Sequence, residues 1–504
     1  MDSFEARSLE GTEGAGYPFF SPDGQWLGFF RGSKLMKIPV LGGASLPIAE
    51  VSFPMGASWE ENGMIILSPN YGVHGLMQVS EEGGNPTPLT KRQATESEGH
   101  RWPQILPGNK AVLFTSWRRN VEDCQIVAHS FETGHAKVLV KGGTYGRYLP
   151  TGHLVYAREG NLFAVPFDAK RLELQGTHIP ILQGVVLTLE GAAQFSFSKL
   201  GTLAYRHGGS VEETKRILVW IDRTGKEERL PAAPRPYAAP RLSPDGNRIA
   251  LTIQGTNDEI WTYDIPDQKF NKLTFEGRNA VPVWTPDGKR ITFRSDRGGT
   301  GALNLWWMPA DGSGEAERLT KSEYDQSANS WSPDGKSLIF VQHHPTSNAD
   351  LWILPQDRQK PYPLSNGRFS EQGGAFSPDG RWIAYVTNES GRGEVYIRPF
   401  SGSGGVRQVS SDGGGYPIWA RSGELFYLSA GGLMSVDITT TPTLKIGTPR
   451  MLFKAGLSGF AGGDVTPDGQ RFLVVKSEEQ GQPMPEVQVI FNWFEEIKKS
   501  VRTR

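Results

Sequence analysis

Residues 281–320 read VPVWTPDGKRITFRSDRGGTGALNLWWMPADGSGEAERLT, and the order of apolar and turn residues in this stretch decides the fold. Val281 to Trp284 is a short apolar strand. The TPDG that follows suits a tight reversal. Pro286 fixes φ near −65°, Asp287 bonds back to the backbone, and Gly288 takes the positive φ that closes a hairpin. KRITFRS then alternates, which puts Ile291 and Phe293 on one face. After a loop from Asp296 to Gly301, LNLWWMPA reads as a third strand, ADGSG as a turn, and EAERLT as a polar edge strand ending near Leu319. The whole is one antiparallel meander of four strands.

The same opening recurs as SPDG at Ser21, Ser243, Ser332 and Ser377, and as TPDG at Thr285 and Thr466. Weaker copies begin at Glu60, Leu106, Leu149, Ser198 and Ala420, giving eleven units with a period of about 44 residues. That is the length of a four-stranded propeller blade. A sheet this small cannot bury both faces alone, whereas stacking blades around an axis hides them and leaves only short edges. The expected fold is therefore all-β, built as tandem β-propellers of four-stranded antiparallel blades. A ring holds about 4–8 blades, so eleven units imply two rings. The Pro/Ala-rich PAAPRPYAAP, Pro231 to Pro240, is the expected linker. It gives an N-terminal propeller over 1–237 and a six-bladed propeller over 238–504. Trp59, Trp284, Trp331 and Trp419 each stand directly before a turn and are expected to wedge between blades. Near the N-terminus, SFEARSLEG is similar to the edge strand EAERLT but follows no blade of its own. Either it completes a blade begun elsewhere in the chain, or the chain is a truncated version of a longer one. The last unit has no clear fourth strand, so closure by strand exchange is open.

The chain has 504 residues, with 53 Lys and Arg against 54 Asp and Glu. A net charge of −1 supplies no general field to attract nucleic acid or an anionic membrane. Sixty-one glycines and 35 prolines fit a turn-dense chain, and 14 Trp with 25 Phe are ample for a core. The single cysteine, Cys124, excludes an intramolecular disulfide and a four-cysteine zinc site, and reads as a small buried hydrophobe in CQIVAHS. No apolar run approaches the ~18 residues that a membrane helix needs. The N-terminus has neither a basic nor an apolar signal region, so the chain as written is expected in the cytoplasm.

Laid out this way, the chain resembles the TolB-like, WD-type propeller repeats of many bacterial proteins. It is most similar to the region that follows the kinase domain and membrane helix of bacterial eukaryotic-like serine/threonine kinases. The stretches that carry this are FFSPDGQWLGFF, HRWPQILPGNKAVLFTS, GGTYGRYLPTGHLVYAREGNLFAVPFD, RPYAAPRLSPDGNRIAL, GEVYIRPF and VIFNWFEEIKK. The resemblance implies a sensor or interaction domain, outside the cytoplasmic membrane in that family, and usually one more unit ahead of the DSFEARSLEGTEGA segment. There is no glycine-rich loop followed by a V-A-I-K lysine, no H-R-D and no D-F-G in the chain, so kinase activity is not expected of it.

Such propellers also precede the catalytic domain of prolyl-oligopeptidase-like hydrolases. The nearest approach to a nucleophile elbow is GLSGF, Gly456 to Phe460, which is one glycine out of register and expected in a loop. His343-His344 is read as a solvated loop pair whose rings point opposite ways. Asn348 to Asp350 and Ser295 to Gly301 lack both the calcium-loop pattern and the context of a phosphate loop. Asp23, Asp245, Asp287, Asp334, Asp379 and Asp468 each lie between proline and glycine and are expected to cap turns. What remains is the mouth of the axial channel, at the entry to each first strand. There the candidates are Tyr17, His100, Arg101, Tyr145, Arg147, Tyr237, Arg278, Asp325, Glu371, Tyr416 and Asp464. Arginine and tyrosine anchor interfaces and bind carboxylates. The expected function is thus non-enzymatic binding of a protein, peptide or small ligand at the channel, without cofactor, metal or nucleic acid. The alternative is the gating part of a prolyl-oligopeptidase-like or other channel-site hydrolase.

Overall fold

The chain is known here as a computed structural model. It describes residues 9–501 apart from 32–33, 52–53, 70–74, 92–98, 119–120, 189, 209–214, 256, 299–301, 345–347, 358–359, 366–368, 402–404, 430, 455–461 and 479–486. Its strands fall into eleven antiparallel sheets among the described residues, one for each sequence repeat. In the blade that opened the sequence reading, Asn279–Trp284, Arg290–Ser295, Asn304–Pro309 and Glu317–Arg318 pair in that order.

The chain divides into two compact units, one of Met1–Val211 with Gly481–Arg504 and one of Glu212–Gln480. This replaces the expected boundary at 237/238. Pro231 to Pro240 is no interdomain linker; it lies inside the second unit. The cause is strand exchange. In the second unit, Gly463–Val465 and Arg471–Ser477 from its late end form a sheet with Arg216–Asp222 and Glu227–Arg229 from its early end. The central pair runs in unbroken register from Arg216 opposite Ser477 to Asp222 opposite Arg471. Cutting after Tyr237 would split that sheet in half. The first unit uses the same device. Leu203–Arg206 pairs with the C-terminal strand Val487–Ile490, Leu203 opposite Ile490 and Arg206 opposite Val487.

The second unit therefore has six sheets, and apolar residues from neighbouring sheets form a shared core at every contact. Trp284 packs with Ile291 and Phe293 of its own sheet and Ala250 and Ile260 of the one before. Phe426 and Leu433 meet Val219, Ile221 and Phe472, while Leu218, Leu473 and Val475 meet Tyr237, Ile249 and Leu251, which closes the circle. The first unit holds five sheets. Its last core joins Val155 and Leu162 with Phe195 and Leu203, and with Trp493, Phe494 and Ile497 of the helix Trp493–Ser500.

The tryptophans before the turns wedge between blades as their position suggests. Trp59, Trp284 and Trp331 are buried. The indole of Trp284 donates to the Arg241 carbonyl oxygen at 3.0 Å, and that of Trp419 to the Ala375 carbonyl oxygen at 3.2 Å, each on the preceding blade. Cys124 is fully buried.

All six turn aspartates bond the same way. At Ser377, the hydroxyl donates to Asp379 Oδ1 (2.6 Å), Asp379 Oδ1 accepts the Arg381 N–H (3.1 Å), and Ser377 Oγ accepts the Trp382 N–H (2.9 Å). These bonds favour the carboxylate. The neighbouring hydroxyl holds Asp23, Asp245, Asp287, Asp334 and Asp468 below the ordinary Asp value. At Asp379, burial pushes upward but the Ser377 hydroxyl and Arg381 amide outweigh it, so its pKa is lowered too.

A depressed folded pKa gives stability that is present above the unfolded value, near 3.9, and is lost as pH falls through the folded one. Asp379→Ala should lower unfolding free energy by about 1–2 kcal/mol at pH 7. The difference from the parent should shrink below about pH 4 as the parent's own carboxylate protonates. Urea titrations at both pH values test this; an equal loss at both would contradict the cap.

Candidate functional site

The first strand of each blade carries the candidate residues, and its conformation repeats. Tyr17, Gly56, Trp102, Tyr145, Ala239, Val281, Gly373, Tyr416 and Gly462 each stand four residues before their turn. All have positive φ, from 46° at Ala239 to 120° at Gly462. The register with the second strand slips at this point in both units, for example between Ala280 and Val283 and between Gln372 and Ala375. It is a β-bulge placed at the axis of each ring. Side chains of the preceding blade satisfy the displaced amides: Thr115 Oγ1 accepts the Tyr145 N–H at 3.0 Å, and Thr252 Oγ1 the Val281 N–H at 3.1 Å.

Two residues before the turn, a second set of side chains ties blade to blade. Ser58 Oγ accepts the Ile105 N–H (3.1 Å), Gln104 Oε1 the Tyr148 N–H (2.6 Å), Ser330 Oγ the Phe376 N–H (3.2 Å) and Asp464 Oδ2 the Leu242 N–H (2.7 Å). Arg147 and Arg241, at the same position, donate backwards to the Trp102 and Gly463 carbonyl oxygens, both at 2.9 Å.

The bulge position separates the two units chemically. In the first it is aromatic. The ring centroids of Tyr17 and Trp102 are 5.4 Å apart, those of Trp102 and Tyr145 5.8 Å, and those of Tyr145 and Phe195 5.5 Å. Tyr17 thus reaches past Gly56, on the intervening blade, to touch Trp102. The Trp102 indole and the Arg101 guanidinium both donate to the Glu190 carbonyl oxygen at 3.1 Å, and Arg147 lies 3.8 Å over the Tyr145 ring. These rings form one continuous row of contacts along the bulge positions of the first unit. In the second unit the same position holds Ala239, Val281, Ala328, Gly373, Tyr416 and Gly462. Five are small, and Tyr416 is 65% exposed. A Cβ on Gly462 would stand 3.1 Å from the Ala239 Cα, so neighbouring strands approach closely here.

The eleven sequence candidates do not form one ring. Arg147 and Asp464 stand two residues before the turn, Tyr17, Tyr145 and Tyr416 four, Arg101 five, His100, Tyr237 and Glu371 six, and Arg278 and Asp325 seven. They occupy different heights and faces of the strand. His100 is buried, its Nδ1 2.7 Å from Thr90 Oγ1 and its ring 4.2 Å from Phe114. Arg101 is buried 4.1 Å over Trp117. Tyr237 is not at a mouth at all; it is fully buried between blades, donates to the Ala233 carbonyl oxygen, and burial pushes its pKa up to about 12. Arg278 pairs with Asp258 at 3.0 Å, and Asp325 Oδ1 accepts the Leu303 N–H at 2.8 Å. Tyr17, Tyr145 and Tyr416 alone share the bulge position. Sequence reasoning passed over Trp102 and the small residues of the second unit. The signal was the fixed spacing to the turn.

Asp325, Glu371 and Asp464 are not brought together, and among the described residues no group of three His, Cys, Asp or Glu could hold a metal ion. Burial raises the carboxyl pKa of Glu371 and Asp464. The histidine pair is not in a loop. Ser337–His344 is a strand, the His343 N–H donates to the Asp325 carbonyl oxygen at 2.9 Å, and burial with Arg294 nearby lowers its pKa to about 4. Asn348 to Asp350 begins the strand Asn348–Pro355. GLSGF lies outside the described residues.

A profile described as the TolB beta propeller domain matches residues 202–373. Over these residues the chain is similar to TolB β-propellers. An uncharacterized protein of Agrobacterium fabrum is 31% identical over 200 residues, covering 36% of this chain and 65% of its own. An uncharacterized peptidase of Bacillus subtilis, YuxL, is 29% identical over 192 residues, which are 30% of this chain and 29% of the peptidase. TolB of the Tol-Pal system of Anaeromyxobacter dehalogenans is 32% identical over 116 residues, 23% of this chain and 26% of that protein. The chain thus spans less than two thirds of the length of each. No helix among its described residues is long and apolar enough to cross a membrane.

Two predictions follow the geometry of these strands. A β-branched residue in the left-handed region is strained by about 1–2 kcal/mol. Gly373→Val should therefore cost about that much in chemical denaturation, while Val281→Gly should cost nothing or stabilise. For Glu371 the raised pKa means that ionisation opposes folding above the unfolded value, so Glu371→Gln should raise Tm at pH 7 and leave it unchanged near pH 4. Equal Tm values at pH 7 would contradict the burial argument.

Proposed function

We propose that the second unit of this TolB-like protein is a non-enzymatic binding module, and that it takes a peptide or protein segment at the axial mouth around Tyr416. The observation that carries this is the ring of residues at the bulge position. Ala239, Val281, Ala328, Gly373 and Gly462 leave little side-chain bulk on the axis, and Tyr416 stands exposed among them. An amphipathic tyrosine on a rigid strand contributes large contact area at small entropic cost, which is the usual anatomy of an interface anchor. The first unit carries aromatic side chains at its equivalent positions. The resemblance to kinase-linked propellers makes a sensor role the natural context for such a module.

A second reading rests on the likeness to an uncharacterized peptidase over 30% of the chain: the propeller would then admit peptides to a hydrolase site. Both readings require a peptide at the mouth and differ in whether it is cleaved.

The test is a random peptide library displayed on phage and selected on the whole chain, followed by affinity measurements and mass spectrometry of the selected peptides. Tyr416→Ala should weaken binding at least tenfold. So should Val281→Trp, which places at the mouth the aromatic that the first unit tolerates at Trp102 with φ 57°. Melting should be unaffected in both, and the peptides should be recovered intact. Selected peptides that bind both variants as tightly as the parent would overturn the site; cleaved peptides would favour the second reading.

A further inference from the structure

Below the Tyr416 mouth, the second unit holds a guanidinium with donors to spare. Its first strands, Tyr237–Leu242, Asn279–Trp284, Gln326–Trp331, Glu371–Phe376, Gly415–Trp419 and Gly463–Val465, each end their sheet. Each touches the next, and the last touches the first, so their unpaired edges face one axis. Successive carbonyls of a strand point to opposite edges. The Gly462 carbonyl oxygen accepts the Val475 N–H of its own sheet at 3.2 Å, so the Gly463 carbonyl points to the axial edge. Arg241 Nη1 donates to that oxygen at 2.9 Å and to the Pro240 carbonyl oxygen at 3.2 Å, which sets the guanidinium at the axis. We propose that Arg241 binds a peptide carboxylate, either a C-terminus or a Glu or Asp side chain, and so selects carboxylate-bearing peptides at this mouth. The inference rests on the peptide-binding reading of the mouth and names the chemistry of what enters it.

Three observations carry it. The first is spare capacity. Nε and Nη2 of Arg241 donate to no described residue, and neither atom is sealed from solvent. A guanidinium presents its donors as a planar fork that matches the two oxygens of a carboxylate, and Nε with Nη2 forms one side of that fork.

The second is access. Ala239 lies two residues nearer the mouth on the same strand and puts only a methyl group above Arg241. At the matching place in the first unit, Tyr145 covers Arg147, its ring 3.8 Å from the guanidinium. The same arginine is capped in one unit and open in the other. Tyr416 and Arg241 stand four and two residues before their turns, a difference of about 7 Å along a strand. An extended peptide with its carboxylate on Arg241 therefore lays a neighbouring side chain against the exposed face of Tyr416.

The third is uncancelled charge. Asp464, on the neighbouring first strand, turns its oxygens to backbone amides: Oδ2 accepts the Leu242 N–H at 2.7 Å and Oδ1 the Val465 N–H at 2.9 Å. Among the described residues it makes no ion pair with Arg241. Burial raises its carboxyl pKa although Arg241 pulls the other way, which further limits its claim on the guanidinium.

The test uses three pools of random synthetic hexapeptides on the whole chain. One has a free C-terminus and no Asp or Glu, one is amidated with a single Glu, and one is amidated with neither acid. Retention on immobilised protein is read by mass spectrometry. At least one of the first two pools should be retained about tenfold more than the third, and which one does so tells whether the carboxylate is terminal or on a side chain. Arg241→Gln keeps a donor for the Gly463 carbonyl and should abolish the preference, while Arg241→Lys should keep part of it. Equal retention of the three pools, a preference that survives Arg241→Gln, or no retention at all would overturn the assignment. The two readings fail separately. Retention that needs Tyr416 but ignores charge and amidation leaves the mouth standing and removes Arg241. A carboxylate preference lost in Arg241→Gln but untouched by Tyr416→Ala keeps the arginine site and removes the tyrosine anchor.

Discussion

The antiparallel pairing of Arg216–Asp222 with Arg471–Ser477 is the interaction on which the second unit depends, because it joins segments about 250 residues apart and turns a row of blades into a ring. A blade contributes its apolar faces only if both neighbours are present. In an open row, the two end faces would stay wet, at roughly 25 cal/mol for each Å² left uncovered. The shared cores of Leu473 and Val475 with Tyr237, and of Phe426 with Phe472, exist because that pair is made. The latch carries charged rungs as well, with Arg471 on Glu228 at 2.7 Å and Lys476 on Glu227 at 2.7 Å. These lie at the surface and add little beside the apolar cores.

The repeated turn and the repeated bulge divide the work of each blade. The turn fixes where the first strand reverses, and its carboxylate spends one oxygen on the neighbouring hydroxyl and amide that shape it. The bulge, four residues earlier, swings one side chain toward the axis and pushes backbone amides toward the preceding blade, where a threonine hydroxyl meets them. Because the bulge geometry is set by these neighbours, the residue occupying it is free to vary. Glycine, alanine, valine, tyrosine and tryptophan all occur there. Identity at this one position decides whether the inner strands carry a row of aromatics, as with Trp102 and Tyr145, or a single tyrosine among small residues.

Much of the architecture was legible in the residues. Proline, aspartate and glycine in fixed order specify a turn through local backbone preferences, and alternation such as Ile291 and Phe293 specifies a buried face, so the blades and the wedged tryptophans could be read directly. The domain boundary could not, because strand exchange is a pairing between distant segments and leaves no local mark; PAAPRPYAAP has the composition of a linker but connects an outer strand to the next blade. The site was less legible for a related reason. A bulge shifts the alternation of side chains, so residues near Tyr237 or Asp464 that appear to face a channel turn into the core or toward the next strand. The histidine pair misled likewise: VQHHPTSN has a loop's composition, yet His343 continues a strand.

The nesting of one unit inside the other sets an order on assembly. The chain completes only two strands of its fifth sheet before entering the second unit, and the third arrives at Val487–Ile490. During synthesis, the portion made second has all its strands first, while the portion made first waits for Val487–Ile490. A chain that stopped before Val487 would thus leave the sheets of the second unit whole and deprive the fifth sheet of the first unit of its third strand and of the helix bearing Trp493 and Phe494.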